Sequence, residues 1–280
     1  MNIGLGYSLH MNFLRRPFSR FFAPPRLPAI PPGMRVYAFG DVHGRADLLR
    51  ILLDAIHEET SSTKPGWDKM EIIGLGDYLD RGPKSRDVLD MLIHASFPGK
   101  VTLTTLRGNH EEAFLTSLAD PAAWAAWLEF GGSSTLVSYG VSPIAGTPTP
   151  DRVARMHEAL VKAVPPLHLD FIRAMPTRRS LGDFLFVHAG IRPGQPLDRQ
   201  NDQDLMWIRE EFLASRRQHG AMIVHGHQVV EQPEFHPNRI AIDTGAYCTG
   251  RLTCLELEGT QQRLLHVTAQ GIRRSVPQPR

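Results

Sequence analysis

Five short stretches hold most of the residues able to bind a metal or move a proton. They are Gly40-Asp41-Val42-His43-Gly44, Gly76-Asp77-Tyr78-Leu79-Asp80-Arg81-Gly82, Gly108-Asn109-His110-Glu111, His188 in Phe-Val-His-Ala-Gly, and His227 in Val-His-Gly-His-Gln. The first sets a carboxylate and an imidazole on a tight turn whose flanking glycines let the backbone bend closely around an ion. The second packs two acids and an arginine together. Asp77 has two oxygens with which to bridge two cations, whereas Asp80 and Arg81 taken alone read equally as an exposed ion pair. The third adds a neutral amide oxygen and another imidazole. Any one of these histidines alone is more readily a satisfied structural residue. The Asp-x-His, Asp-x-x-Asp-Arg and Asn-His clusters together, each following a strand, are not a chance arrangement.

The ligands suffice for two ions. Asp41, His43 and Asp77 can hold one, and Asp77, Asn109, His188 and His227 the other. A mixed nitrogen and oxygen set suits manganese, iron or zinc better than calcium, with manganese the first expectation. Two such ions roughly 3.5–4 Å apart clamp the attacking and leaving oxygens of an in-line displacement and make hydroxide available near neutral pH. No protein nucleophile is then required.

The elements that must carry these residues follow from periodicity. Residues 35–39, 70–75 and 101–106 read as buried strands, each followed by a motif loop and then by an amphipathic helix, over 46–59, 85–95 and 111–119. Strand, loop and helix repeated three times predict βαβ units and a largely parallel sheet. In such sheets ligands bind beyond the carboxyl ends of the strands, where all of these loops fall. The stretch 112–175 reads as a mostly helical, cap-like insertion. In it Trp124, Trp127 and Phe130 sit at helical spacing before Gly131-Gly132, a pattern that reads first as core packing and second as a cap over the substrate. A hairpin turning at Gly182-Asp183 comes next, followed by four short strands that predict a second, more antiparallel sheet.

Bulk properties exclude little but point one way. The chain has 280 residues, 42% apolar, with 31 Lys and Arg against 29 Asp and Glu, so no charge excess argues for nucleic acid. Cys248 and Cys254 are the only cysteines, too few for a disulfide framework or a four-cysteine zinc site, which fits a reducing cytoplasm. No apolar run is long enough for an integral membrane segment. Residues 1–33 are basic, aromatic and proline-rich. Arg15-Arg16 echoes a twin-arginine signal, but prolines break the apolar stretch that should follow. A disordered tail over 1–33, with surface anchoring by Phe13, Phe18, Phe21 and Phe22 as the sharper alternative, a catalytic domain over 34–271 and a second tail over 272–280 are the expectation.

With the motifs GDVHG, GDYLDRG, GNHE, HAG and GHQVV in this order, and IDTGAYCTG beyond them, the chain resembles the metal-dependent phosphoprotein phosphatases of the calcineurin-like phosphoesterase superfamily, in a bacterial form. The resemblance spans about residues 40 to 258 and implies an α/β, four-layer αββα sandwich of two mixed sheets flanked by helices. It implies the metal roles given above, His110 as the acid that protonates the leaving oxygen, and Asp80 as the group that orients His110. It also implies that Arg81 and Asn109 bind the substrate phosphate, with a second arginine between HAG and GHQ. Arg209 is the candidate, and Arg192, Arg216 and Arg217 compete. Two positions depart from the family pattern: Ala189 stands where many relatives carry glycine, and His225 where an arginine is common.

The implied activity is hydrolysis of phosphoserine and phosphothreonine in proteins, so the expected partner is a phosphoprotein or phosphopeptide. A symmetrical dinucleoside tetraphosphate hydrolase is the rival on the same scaffold, with a small-metabolite phosphatase beside it. The tetraphosphatase group usually lacks the acids found here as Asp80 and Glu111. A phosphopeptide-binding pseudo-enzyme would need a broken metal set or a lost acid, and neither occurs.

Overall fold

The computed structural model describes Met1 and residues 26–61, 66–142 and 149–277. The chain runs β1 (Met34–Phe39), α1 (Ala46–Thr60), β2 (Lys69–Gly74), α2 (Ser85–His94), β3 (Val101–Thr105), α3 (Asn109–Ala119), α4 (Trp124–Trp127) and α5 (Ser133–Ser138). It continues through α6 (Pro150–Ala163), α7 (Pro166–Ala174), β4 (Arg178–Leu181), β5 (Phe184–Val187), α8 (Asp202–Trp207), α9 (Glu210–Leu213), β6 (Met222–His225), β7 (Glu234–Phe235) and β8 (Arg239–Ala241). Helix α10 (Ala246–Thr249), β9 (Leu252–Glu258), β10 (Gln261–Thr268) and β11 (Gly271–Ser275) complete it.

Two mixed sheets result, of six strands in the order β11-β10-β9-β1-β2-β3 and five in the order β4-β5-β6-β8-β7. Period-two alternation explains why they stack. Along β1, Val36 and Ala38 point between the sheets while Tyr37 and Phe39 point to the helices; along β5, Phe184 and Phe186 face inward and Leu185 and Val187 outward. Three apolar clusters therefore fill three interlayer spaces. One lies between the first sheet and α1, α2 and the 114–175 helices, one between the sheets, and one between the second sheet and α8 and α9. This is the four-layer sandwich that the motifs implied.

The predicted βαβ order holds, with β1, β2 and β3 parallel in register. The second sheet does not follow expectation. Its centre is parallel, β5 with β6 and β6 with β8, and only its edge strands β4 and β7 run antiparallel. The antiparallel strands β9, β10 and β11 instead extend the first sheet, β9 pairing with β1. Local pattern marks a strand but not its partner. The free edge of β1 could be filled only by a segment far along the chain.

Both expected tails need correction where they are described. Ile30 is buried between the sheets, its N–H donating to Gly259 O at 2.9 Å, and Ala29 exchanges hydrogen bonds with Asp183. Residues 29–30 thus tie the turn between β4 and β5 to the turn between β9 and β10. Strand β11 (Gly271–Ser275) runs from the last residue of the predicted domain into the predicted tail over 272–280. Its one apolar anchor, Ile272, and the pairing of Arg274 with Glu256 and Glu59 are a weak local signal. The aromatics Phe13, Phe18, Phe21 and Phe22 lie outside the described residues. Much of the stretch expected to be cap-like is a core layer: Phe114, Trp124, Trp127, Leu136, Leu160 and Ile172 share one cluster with α1 and α2. No helix among the described residues is long and apolar enough to cross a membrane.

Candidate metal centre and active site

The five motif loops meet beyond the carboxyl ends of β1, β2, β3, β5 and β6. They interlock through their backbones. Val42 and His43 both donate N–H to Asp77 O, at 3.1 and 2.8 Å, and Gly226 donates to His188 O at 2.8 Å. A Cβ on Gly82 would stand 2.0 Å from His43 O, and one on Gly108 would stand 2.2 Å from an Asp77 carboxylate oxygen, so only glycine fits at either place. All five non-glycine residues with positive φ among the described residues are His43, Asp77, Asp80, Arg81 and His227. Each costs of order 1–3 kcal/mol and persists only where surrounding structure enforces it. The strain falls wholly on predicted site residues.

Two buried groups could each hold an ion: His43, Asp77 and His110, and Asp77, His188 and His227. Asp77 belongs to both, as a bridging carboxylate must. His43 Nδ1 donates to Leu79 O at 2.7 Å and His188 Nδ1 to Leu75 O at 2.9 Å, which leaves each Nε2 lone pair aimed into the site. His188 Nε2, Asn109 Oδ1 and His227 Nδ1 crowd within 2.7–3.2 Å of one another. His43 Nε2 and His110 Nε2 are buried without a hydrogen-bond partner, as are Asn109 Nδ2 and His227 Nε2. Buried polar atoms are normally paired, and converging lone pairs repel. Divalent cations fit this donor set.

The electrostatics agree. Burial works to raise the pKa of Asp77, but the imidazoles of His188, His110 and His43 outweigh it and hold the carboxyl well below its usual range. Burial pushes His43 down to about 3 and His227 to about 2, so both are neutral, the form that ligates metal. Burial and the charges of Asp243 and Asp77 push Asp41 well above the ordinary carboxyl value.

Not every predicted ligand takes its expected place. Asp41 accepts the His227 backbone N–H at 3.2 and 3.1 Å, one distance from each of its oxygens, and stands outside both three-residue groups. His110 takes the corresponding position in the first group, its Nε2 3.8 Å from Asp77 Oδ2. His110 Nδ1 also lies 2.8 Å from Asp80 Oδ2. Arg81 sits over the Tyr247 ring at 5.0 Å. Of the four candidate arginines, Arg192 is held by Asp204 and Glu211. Arg217 approaches Gly194, and Arg216 lines a cavity with His236 and Arg239. Arg209 donates to Gln228 Oε1 at 3.0 Å, and its charge depresses His227.

Some residues of the site carried no assigned role in the sequence. Glu111 accepts backbone N–H bonds from Asp77, Tyr78, Leu79 and Gly108 at 2.8, 2.8, 3.3 and 2.9 Å. Burial and the nearby Asp77 charge push its pKa up to about 7, against four donors that favour the anion. Glu111→Ala would orphan four buried amides. A loss of about 3–5 kcal/mol in unfolding free energy is expected by denaturant titration, and a loss below ~1 kcal/mol would refute the assignment. Asp243, at the end of β8, is buried beside Asp41 with Oδ2 unpaired. The strand-end rule that located the other motifs would have found it. His225 is buried and lowered to about 3 by that burial, a neutral residue packed on Phe212. Trp124 and Trp127 are core residues. Phe130 is half-buried and stacks on His110 at 3.9 Å.

A family model described as calcineurin-like phosphoesterase matches residues 34–256. The chain belongs to the calcineurin-like phosphoesterases. It is 26% identical over 240 residues to the asymmetrical bis(5'-nucleosyl)-tetraphosphatase PrpE of Anoxybacillus flavithermus, covering 77% of this chain and 87% of that protein. It is also 26% identical over 235 residues to serine/threonine-protein phosphatase 2 of Escherichia coli, covering 80% and 93%. The crystal structure of a candidate diadenosine tetraphosphatase superposes with a TM-score of 0.56 at 18% identity, covering 86% of this chain and 99% of that one. That likeness concerns the fold. As a calcineurin-like phosphoesterase, the chain is a metal-dependent hydrolase of phosphoric esters.

Proposed function

We propose that the protein is a dinuclear-metal phosphomonoesterase acting on phosphoserine and phosphothreonine in proteins. The observation that carries this reading is the buried pair of Asp80 and His110, 2.8 Å apart, with His110 Nε2 free to face a leaving group. An alcohol ester departs as a poor alkoxide and gains from a positioned proton donor. A nucleoside phosphate already leaves as a stable anion and gains much less. The Escherichia coli relative named as a serine/threonine phosphatase, alike over 93% of its length, supports the same reading.

Asp41, His43 and Asp77 would hold one ion, and Asp77, Asn109, His188 and His227 the other; the donor mixture suits manganese, iron or zinc, and manganese is the ion we take first. When bound, such ions neutralise phosphoryl charge and make water nucleophilic near neutral pH. Arg81 and Arg209 offer guanidinium forks to the nonbridging oxygens, and the unpaired Asn109 Nδ2 offers one more donor. His110 Nε2 gives its proton to the leaving oxygen, while Asp80 keeps the ring oriented through Nδ1.

The similarity to PrpE makes dinucleoside tetraphosphate cleavage the alternative to be tested. Manganese-loaded protein offered phosphoserine and phosphothreonine peptides beside diadenosine tetraphosphate should show kcat/KM at least about tenfold higher on the peptides, about 1.4 kcal/mol of transition-state preference. Faster cleavage of the dinucleotide would reverse the assignment.

A further inference from the structure

The Asp80 carboxylate has more partners than His110. Its Oδ2, 2.8 Å from His110 Nδ1, also accepts the indole N–H of Trp127 at 3.1 Å, and its Oδ1 accepts the Thr135 hydroxyl at 2.6 Å. The same hydroxyl oxygen accepts the Asp80 backbone N–H at 2.9 Å. Phe130, between these two residues in sequence, lies parallel to the His110 ring, with 9° between the planes. The backbone closes the arrangement. Arg81 N–H donates to Gly131 O at 3.0 Å, and the Ser134 hydroxyl donates to Arg81 O at 3.0 Å. Gly131 has a φ of 119°, and a Cβ there would stand 2.9 Å from Arg81 Cγ. One segment from Trp127 to Thr135 therefore bonds to Asp80 and Arg81 and stacks on His110.

We propose that Trp127 and Thr135 are positioning residues for the leaving-group acid, holding the Asp80 carboxylate in the one rotation that aims Oδ2 at His110 Nδ1. The inference rests on the reading of His110 as that acid. Asp80 is wholly buried, so its carboxylate oxygens depend on protein donors, and these are His110, Trp127 and Thr135. Without the indole and the hydroxyl, the carboxylate rotates to seek other donors and the imidazole loses its register. Core packing alone would not require an N–H on residue 127 or a hydroxyl on residue 135.

Trp127→Phe keeps an aromatic ring in the core and removes the N–H. Thr135→Val removes the hydroxyl at nearly constant shape, and Thr135→Ser restores it. Each is assayed on two aryl phosphates, phenyl phosphate with a poor leaving group and 2,4-dinitrophenyl phosphate with one that departs without a proton. Trp127→Phe and Thr135→Val are expected to lose about 10–100-fold in kcat on phenyl phosphate, with KM and bound manganese unchanged. Loss on the dinitrophenyl ester should stay within about threefold, and Thr135→Ser should recover most of the phenyl phosphate rate. His110→Asn serves as the reference. If it shows the leaving-group contrast and the two variants do not, the positioning role is refuted while the acid assignment stands. If His110→Asn shows no contrast, the acid assignment falls and the inference with it. Equal losses on both esters accompanied by lost manganese would mean that Trp127 and Thr135 only support the fold.

Discussion

Chelating divalent ions out of the protein is expected to abolish phosphoester hydrolysis and to lower the melting temperature, both reversed by added manganese. The expectation comes from the donor atoms that the site gathers. His188 Nε2, Asn109 Oδ1 and His227 Nδ1 stand within 2.7–3.2 Å, and His43 Nε2 faces Asp77 Oδ2 at 3.6 Å, with buried nitrogens left unpaired around them. Three of the residues that supply these atoms, His43, Asp77 and His227, are held in left-handed conformation. A cation relieves the repulsion, so it binds the folded chain far better than the unfolded one. At a free ion concentration a hundredfold above Kd, that preference contributes about 2.7 kcal/mol. For a chain of 280 residues it corresponds to roughly 5 °C in Tm. Scanning calorimetry and elemental analysis on the stripped and reloaded protein check both parts. Full activity with no bound metal would remove the basis of the functional reading.

His110→Asn should lower turnover on a phosphoserine peptide by about 10²–10⁴-fold while leaving two ions bound. Asparagine retains a polar amide near Asp80 but has no proton to give at the leaving oxygen. The prediction separates two readings of the same geometry. His110 Nε2 lies in the first metal group, 3.8 Å from Asp77 Oδ2, so it could act as a ligand in place of Asp41. If His110 is a ligand, the variant loses an ion along with its rate. If it is the acid, metal content is unchanged and only the rate falls. Steady-state kinetics beside metal analysis decides between them, and a rate within about threefold of the parent would exclude both.

Much of the site is legible in the sequence. Asp41, His43, Asp77, Asn109, His110, His188 and His227 follow predicted strand ends, and for the motifs after β1, β2 and β3 chain connectivity forces the ends of parallel strands to one edge of a sheet. The strands and most helices were legible because period-two and helical alternation are local properties. The partner of each strand is not local. Nothing in the Leu252–Glu258 pattern announces that it completes the sheet at β1. Residues 29–30 and β11 were missed for a related reason. Their stability comes from distant partners, Gly259 and Asp183 for the first, and Glu256 and Glu59 for the second.

The sequence by itself determined which side chains could ligate ions and that the loops after β1, β2 and β3 share one edge of a parallel sheet. Residue type and spacing suffice for that, because donor chemistry belongs to the side chain and strand ends are ordered by connectivity. The pairing of His110 with Asp80 came from family resemblance, and the parallel centre that brings His188 and His227 to the same place is visible only in the fold. Only the tertiary structure decided which side chains hold the others in place. Glu111 bonded to four backbone amides, Trp127 and Thr135 on Asp80, Phe130 on the face of His110 and Asp243 beside Asp41 all depend on distances between segments far apart in the chain. Hydrogen bonds and ring stacking act over a few ångströms, and that proximity is created by packing, not written in any local run of residues.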